Sequence, residues 1–173
     1  MLKLIGAVII FVACTWYGLY RSTQYTRTLE QLKEIIYTLK RLKTEIQFNQ
    51  TELPEAFLNV SVPMKGPMKK FFANLHSRLR SKVEQSTLTE IWDDELQSAF
   101  IFSDLKAHHL EVMYQLGRVI GGSNVEDQMD HIDAAIERLE LEESQASEEM
   151  HKYARLWRGL GAMFGIALII MLI

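Results

Sequence analysis

The sequence predicts an all-α protein, a six-helix cytoplasmic bundle flanked by an N-terminal and a C-terminal transmembrane helix. Three observations lead there. Apolar residues recur at 3/4 spacing through most of residues 22–158, which is the helical period. No segment shows a clean period of two. Two uncharged apolar blocks close the chain ends, while the charge gathers between them.

The first block, Leu4 to Tyr20, lies between Lys3 and Arg21. Its length is at the short end of the roughly 17–25 residues a spanning helix needs. Trp16, Tyr17 and Tyr20 gather at its Arg21 end, where amphipathic rings favour an interface. A signal peptide shares this charge-then-apolar look, but no small-x-small cleavage site follows. A lipoprotein reading would use Phe11-Val12-Ala13-Cys14, where Phe11 is a poor residue three before the cysteine. The block is therefore expected to be an uncleaved anchor, residues 1–21. The last block, Gly159 to Ile173, is expected to be the second span, extended by Leu156 and Trp157 with Arg158 snorkelling. Cys14 with Gly18, and Gly161 with Gly165, are small-xxx-small pairs that would let such helices pack closely.

Two spans put residues 22–158 on one side. Arg21, Arg27, Lys33, Lys40, Lys152, Arg155 and Arg158 flank the blocks on that side, against Lys3 on the other. The positive-inside rule then predicts a cytoplasmic domain.

Within the domain, Tyr25, Leu29, Leu32, Ile36, Leu39, Leu42 and Ile46 define the first helix, about 22–48. Thr51 is the expected cap of a short second helix, with Pro54 in its first turn and Ser61-Val62-Pro63 at its end. Gly66-Pro67 opens the third, with Phe71, Phe72, Leu75 and Leu79 inward. Thr87-Leu88-Thr89-Glu90 is a capping box for the fourth, which carries Ile91, Trp92, Leu96 and Phe100. The fifth runs from about Asp104 to Ile120 and stops at Gly121-Gly122. Ser123-Asn124-Val125-Glu126 is a second capping box, opening the last and longest helix. There Met129, Ile132, Ile136, Leu139, Ala146, Met150, Tyr153 and Trp157 keep the spacing, with Glu143 the misfit. The two long helices are expected to pair antiparallel.

The chain of 173 residues carries a net charge of −3, which argues against a general nucleic-acid binder. The lone Cys14 excludes an internal disulfide, and no Cys/His spacing fits zinc. No nucleophile elbow, P-loop, dinucleotide fingerprint or His-Glu-x-x-His is present. Glu126 to Glu149 contains ten acids and one base, Arg138. A carboxylate-metal bundle wants two Glu-x-x-His motifs; the one here is Glu148-x-x-His151. His108 and His109, adjacent on a helix, point about 100° apart, so they read as a half-exposed pair. No catalytic, cofactor-binding or metal residue, no cofactor and no small-molecule substrate is expected.

Two charged surfaces remain. Lys65, Lys69, Lys70, Arg78, Arg80 and Lys82 make the third helix basic, with no acid between Ala56 and Val83. They would bind an acidic partner or anionic lipid heads, or balance the acidic sixth helix. Asn124, Glu126, Asp127, Gln128 and Asp130 begin that acidic helix. Both surfaces are candidate partner interfaces.

Several runs together carry a resemblance. MLKLIGAVII opens the chain, LKTEIQFNQTELPEAF ends the first long helix, and Ile91-Trp92 sits at an aromatic position of the fourth. LGRVIGGSNVEDQMDHI and the closing GLGAMFGIALIIMLI complete the match. With these the chain resembles the stage III sporulation protein AB family of endospore-forming Firmicutes, with Asn124 where Asp is usual and Lys43 a second small departure. The resemblance implies a non-enzymatic platform protein in a secretion-like channel complex between mother cell and forespore. It is related to the inner-membrane platform of type II secretion and type IV pilus machines. It implies the complex's ATPase, stage III sporulation protein AA, and other membrane components as partners, and the mother-cell membrane around the forespore as the location. A generic membrane-tethered adaptor outside sporulation and a carboxylate-metal bundle enzyme are the alternative readings.

Overall fold

Among the described residues six α-helices follow one another in the computed structural model: α1 (Leu2–Gln47), α2 (Leu53–Ser61), α3 (Gly66–Ser81), α4 (Leu88–Phe100), α5 (Ala107–Val119) and α6 (Val125–Glu149), then a π-helical turn, Met150–Ala154. The structure describes residues 2–49, 51–81, 86–122, 125–154, 156 and 163. Among these there is no strand, so the all-α expectation holds. The expected first span and first bundle helix are a single element, α1, and no proline interrupts it between Leu2 and Gln47.

The chain divides into two compact units, one of Met1–Glu30 with Ser144–Ile173, the other of Gln31–Glu143. In the first, Tyr25 and Tyr153 stack with ring centroids 5.9 Å apart and planes 25° from parallel. Ser22, Leu29 and Ala146 are buried. Ile9, Val12, Ala13, Trp16, Tyr17 and Tyr20 line an open apolar groove on α1.

The expected two-span topology, and the expected mother-cell membrane location with it, do not hold in the structure. Among the described residues, no helix is long and apolar enough to cross a membrane. The uncharged run of α1 is bounded by Lys3 and Arg21. Its last six residues, Thr15 to Tyr20, contain only one aliphatic side chain, Leu19. Of the expected second span, 159–173, all but Met163 lies outside the described residues. So do Gly161 and Gly165, and the side chain of Cys14; Gly18 is buried on α1.

The second unit is built by burial of one stripe from each helix. Leu32, Ile35, Ile36, Leu39, Leu42 and Ile46 of α1 are buried, as are Met129, Ile132, Ala135, Ile136 and Leu139 of α6. Helices α2, α3 and α4 share an aromatic cluster. Phe71 and Trp92 meet edge-on at 4.9 Å, Phe71 and Phe72 at 4.8 Å, and Phe57 lies 6.0 Å from Trp92. Such perpendicular pairs set the positive ring edge against the negative face. The indole N–H of Trp92 donates to the Met113 carbonyl at 2.8 Å, which leaves no buried donor unpaired there.

Helix ends follow local chemistry. The Thr87–Glu90 capping box is present: Thr87 N–H donates to Glu90 at 2.8 Å, and Glu90 N–H to Thr87 Oγ1 at 3.3 Å. The α2 cap is Glu52, not Thr51, and its side chain makes no capping bond. Pro54 near the helix start needs no N–H there. Helix α5 starts three residues later than expected, at Ala107, because Ser103 Oγ accepts the Leu105 N–H in a turn. Gly121, with φ +84°, ends that segment in a conformation side chains rarely adopt. Ser123 and Asn124, the core of the second expected capping box, lie outside the described residues.

Candidate functional site

Lysines on α1 meet acids on α6 in antiparallel order. Lys43 Nζ reaches both Asp133 oxygens at 2.7 and 2.6 Å, Lys40 reaches Glu140 at 2.6 Å, and Lys33 lies 3.6 Å from Glu143. Glu143, the misfit in the apolar spacing, is thus one end of an ion pair. The pairing of the two long helices is present within this unit.

The sixth helix is therefore neutralised along one edge by α1, not by the basic third helix. The α3 cations find their acids on other neighbours. Arg78 lies 3.2 Å from Glu95 and 3.5 Å from Asp94 of α4, and Asn74 donates to the same Glu95 at 2.7 Å. Arg80 pairs with Glu55 of α2. Lys70 reaches Ser98 at 3.5 Å. Lys65 and Lys69 are exposed. The basic helix is accordingly split: its C-terminal arginines tie the bundle together, and its N-terminal lysines face solvent.

On α6, Glu126, Asp130 and Glu137 are exposed and pair with no cation among the described residues. Steps of four and seven place them on one face at about 100° per residue, next to Asp133 and Glu140. They form an acidic stripe whose inner edge is neutralised and whose outer edge is open. Asp127 is exposed and already engaged. Gln128 is buried at 7% exposure, so it cannot present itself to a partner; it sits beside Met129 on the inward side. Asn124 lies outside the described residues.

The histidine pair departs from expectation. His108 is exposed, but His109 is buried at 4%, and both reach the same carboxylate. His108 Nε2 is 3.4 Å and His109 Nε2 3.8 Å from Glu142 Oε2. The ligating atoms of the three lie within 4.8 Å of one another. Although adjacent helical positions diverge, the two rings turn toward each other, with centroids 4.1 Å apart.

The hydrogen bonding decides what the trio can do. Lys106 N–H donates to His109 Nδ1 at 3.1 Å, so the neutral ring carries its proton on Nε2, facing Glu142. A metal-ligating histidine ordinarily donates from its second nitrogen; here that nitrogen accepts. Ligation through His109 Nε2 would break a helix-capping bond. The capping bond to His109 makes the trio a poor fit to a metal centre.

Among the described residues Glu34, Asp93 and Tyr114 have raised proton affinities. Burial raises Glu34, while the Lys65 N–H it accepts pulls the other way. Burial raises Asp93, with Arg118 opposing and Asp94 adding to the rise. Tyr114 is raised by burial, then by Asp93 and Glu111. None of these adjoins the acidic stripe in sequence.

Comparison with known proteins agrees with the resemblance. The family model for stage III sporulation protein AB matches residues 3–173. Stage III sporulation protein AB of Bacillus subtilis (strain 168) is 31% identical over 172 residues, covering 99% of both chains. A solved structure of a stage III sporulation protein AB is similar with a TM-score of 0.65. It is 22% identical and covers 72% of this chain and 96% of the other, a likeness of fold.

Proposed function

The chain belongs to the stage III sporulation protein AB family, and from that premise we propose that it is a non-enzymatic docking component of a secretion-like assembly. Its role is in sporulation. Within the assembly joining mother cell and forespore, it couples to the complex's ATPase, stage III sporulation protein AA, and acts by position, presenting a fixed charged face.

The observation that carries this reading is the open acidic stripe of α6. Glu126, Asp130 and Glu137 are held on a helix whose other edge is pinned by Lys33, Lys40 and Lys43. A stripe held this way is preorganised, which lowers the ordering cost of binding a basic partner surface. Exposed charges across an interface mainly set encounter rate and register. The non-enzymatic reading is supported by the tautomer of His109 and by relatives that are sporulation proteins.

The test is capture of the purified ATPase by the full chain. Replacing Glu126, Asp130 and Glu137 with Lys should weaken capture at least tenfold, with helical circular dichroism unchanged. Capture by the variant equal to that by the parent removes the stripe as the contact surface.

A further inference from the structure

Helices α3 and α4 run antiparallel, since Arg78 meets Glu95 and Lys70 meets Ser98. The chain therefore enters α3 and leaves α4 at the same end of the Gln31–Glu143 unit. Two connections lie there, the α2–α3 turn and the α4–α5 segment. Both expose large apolar side chains: Val62 at 68%, Ile101 at 67% and Phe102 at 97%.

Such residues are costly to leave in water. Burying one phenylalanine or isoleucine is worth enough that neighbouring ones in the open mark a contact surface. Nothing in the local backbone forces Phe102 outward as a by-product of disorder. Ser103 N–H donates to the Phe100 carbonyl at 3.0 Å and Leu105 N–H to Ser103 Oγ at 3.3 Å, so the turn is fixed.

Exposed cations border these residues. Lys65 precedes α3, Lys69 and Lys70 lie in its first turn and a half, and Lys106 follows the α4–α5 turn; all four are exposed. Two acids are close in the chain or the fold. Glu34 is half-buried and accepts the Lys65 backbone N–H. Asp104 is half-buried and already engaged. Glu34 makes no ion pair with Lys65, Lys69 or Lys70 among the described residues.

We propose that this end of the unit is a docking surface for an anionic phospholipid surface, with Val62, Ile101 and Phe102 entering the headgroup region and Lys65, Lys69 and Lys70 meeting the phosphates. The pattern fits lipid for two reasons. Apolar tips ringed by lysines combine shallow insertion with electrostatic attraction. Lysine is a flexible point charge that needs no fixed acceptor geometry, whereas the arginines of α3, suited to planar carboxylates, are used inside the bundle. The contact is peripheral and needs no crossing helix. It is independent of the acidic stripe on α6.

A probe at Phe102 reads this surface locally. The full chain carrying Cys14→Ser and Phe102→Cys is labelled with an environment-sensitive nitrobenzoxadiazole dye. Vesicles of phosphatidylcholine with three-tenths phosphatidylglycerol should shift its emission to the blue and raise its intensity at least twofold. Pure phosphatidylcholine vesicles should do neither. Replacing Lys65, Lys69 and Lys70 with Gln should lower the partition coefficient by roughly 100-fold, equivalent to about 1 kcal/mol for each lysine. Unchanged emission with anionic vesicles overturns the proposal. So does an equal response to neutral ones. A lipid-free blue shift that grows with protein concentration also overturns it, by assigning the surface to a second copy of the chain.

Discussion

Gly117 of α5 lies flat against the indole of Trp92, and a Cβ at that position would collide with Cδ1, Cγ and Nε1 of the ring. The close approach lets the indole reach the Met113 carbonyl one turn earlier on the same helix. Gly117→Ala should therefore push the ring out of the aromatic cluster and stretch that hydrogen bond. Overpacking of this kind costs about 1–3 kcal/mol. The measurement is urea unfolding followed by tryptophan emission. A variant within about 0.3 kcal/mol of the parent would mean that Trp92 can move without penalty.

The Thr87–Glu90 box closes the exposed start of α4. Its two bonds satisfy two otherwise orphaned donors. Thr87→Ala removes one acceptor and should cost about 1 kcal/mol. For a chain of this size that lowers the thermal midpoint by roughly 2–4 °C. Thr87→Ser, which keeps the hydroxyl, should recover most of the loss. Equal loss in both variants would assign the effect to the threonine methyl instead.

How far these features could be read beforehand depends on their range along the chain. Capping boxes, Gly66-Pro67 and the 3/4 apolar spacing are local, and the structure uses them at α3 and α4 as the sequence implies. Ion-pair partners are set by the fold. The charge pattern alone allowed α3 to balance α6, yet Arg78 finds Glu95, Arg80 finds Glu55, and α6 is served by α1. Gln128 was grouped with its acidic neighbours by sequence position, but the helical period turns it inward. The Phe102 tip was hidden for another reason. It follows an apolar run ending in Phe100 and Ile101, and only the end of α4 at Phe100 separates buried from exposed.

The α1–α6 lysine pairs are a test of how much such surface order contributes to stability. Lys43 and Asp133 are 29% and 47% exposed, and both carboxylate oxygens are engaged. A double-mutant cycle with Lys43→Met and Asp133→Asn should give a coupling of about 0.5–1 kcal/mol. Molar salt should cut it by more than half, since the pair is open to solvent. A coupling above roughly 2 kcal/mol, or one insensitive to salt, would contradict a partly exposed pair.

Glu34 gives a pH signature with a defined sign. Burial raises its proton affinity in the folded state above the ordinary carboxyl value of 4.5, despite the opposing Lys65 N–H. The folded state thus binds the proton more tightly than the unfolded chain. The stabilisation this gives is complete below about pH 4.5 and is lost as pH rises through the elevated folded value. Glu34→Gln keeps an oxygen to accept from Lys65 and carries no charge to desolvate. It should be more stable than the parent at pH 7, and the advantage should shrink as the pH falls toward 4.5. Guanidinium unfolding of both proteins across pH 4–8 checks this. An advantage that stays constant over the range would place its origin in packing, and a parent more stable at pH 7 would mean that the Lys65 bond outweighs burial.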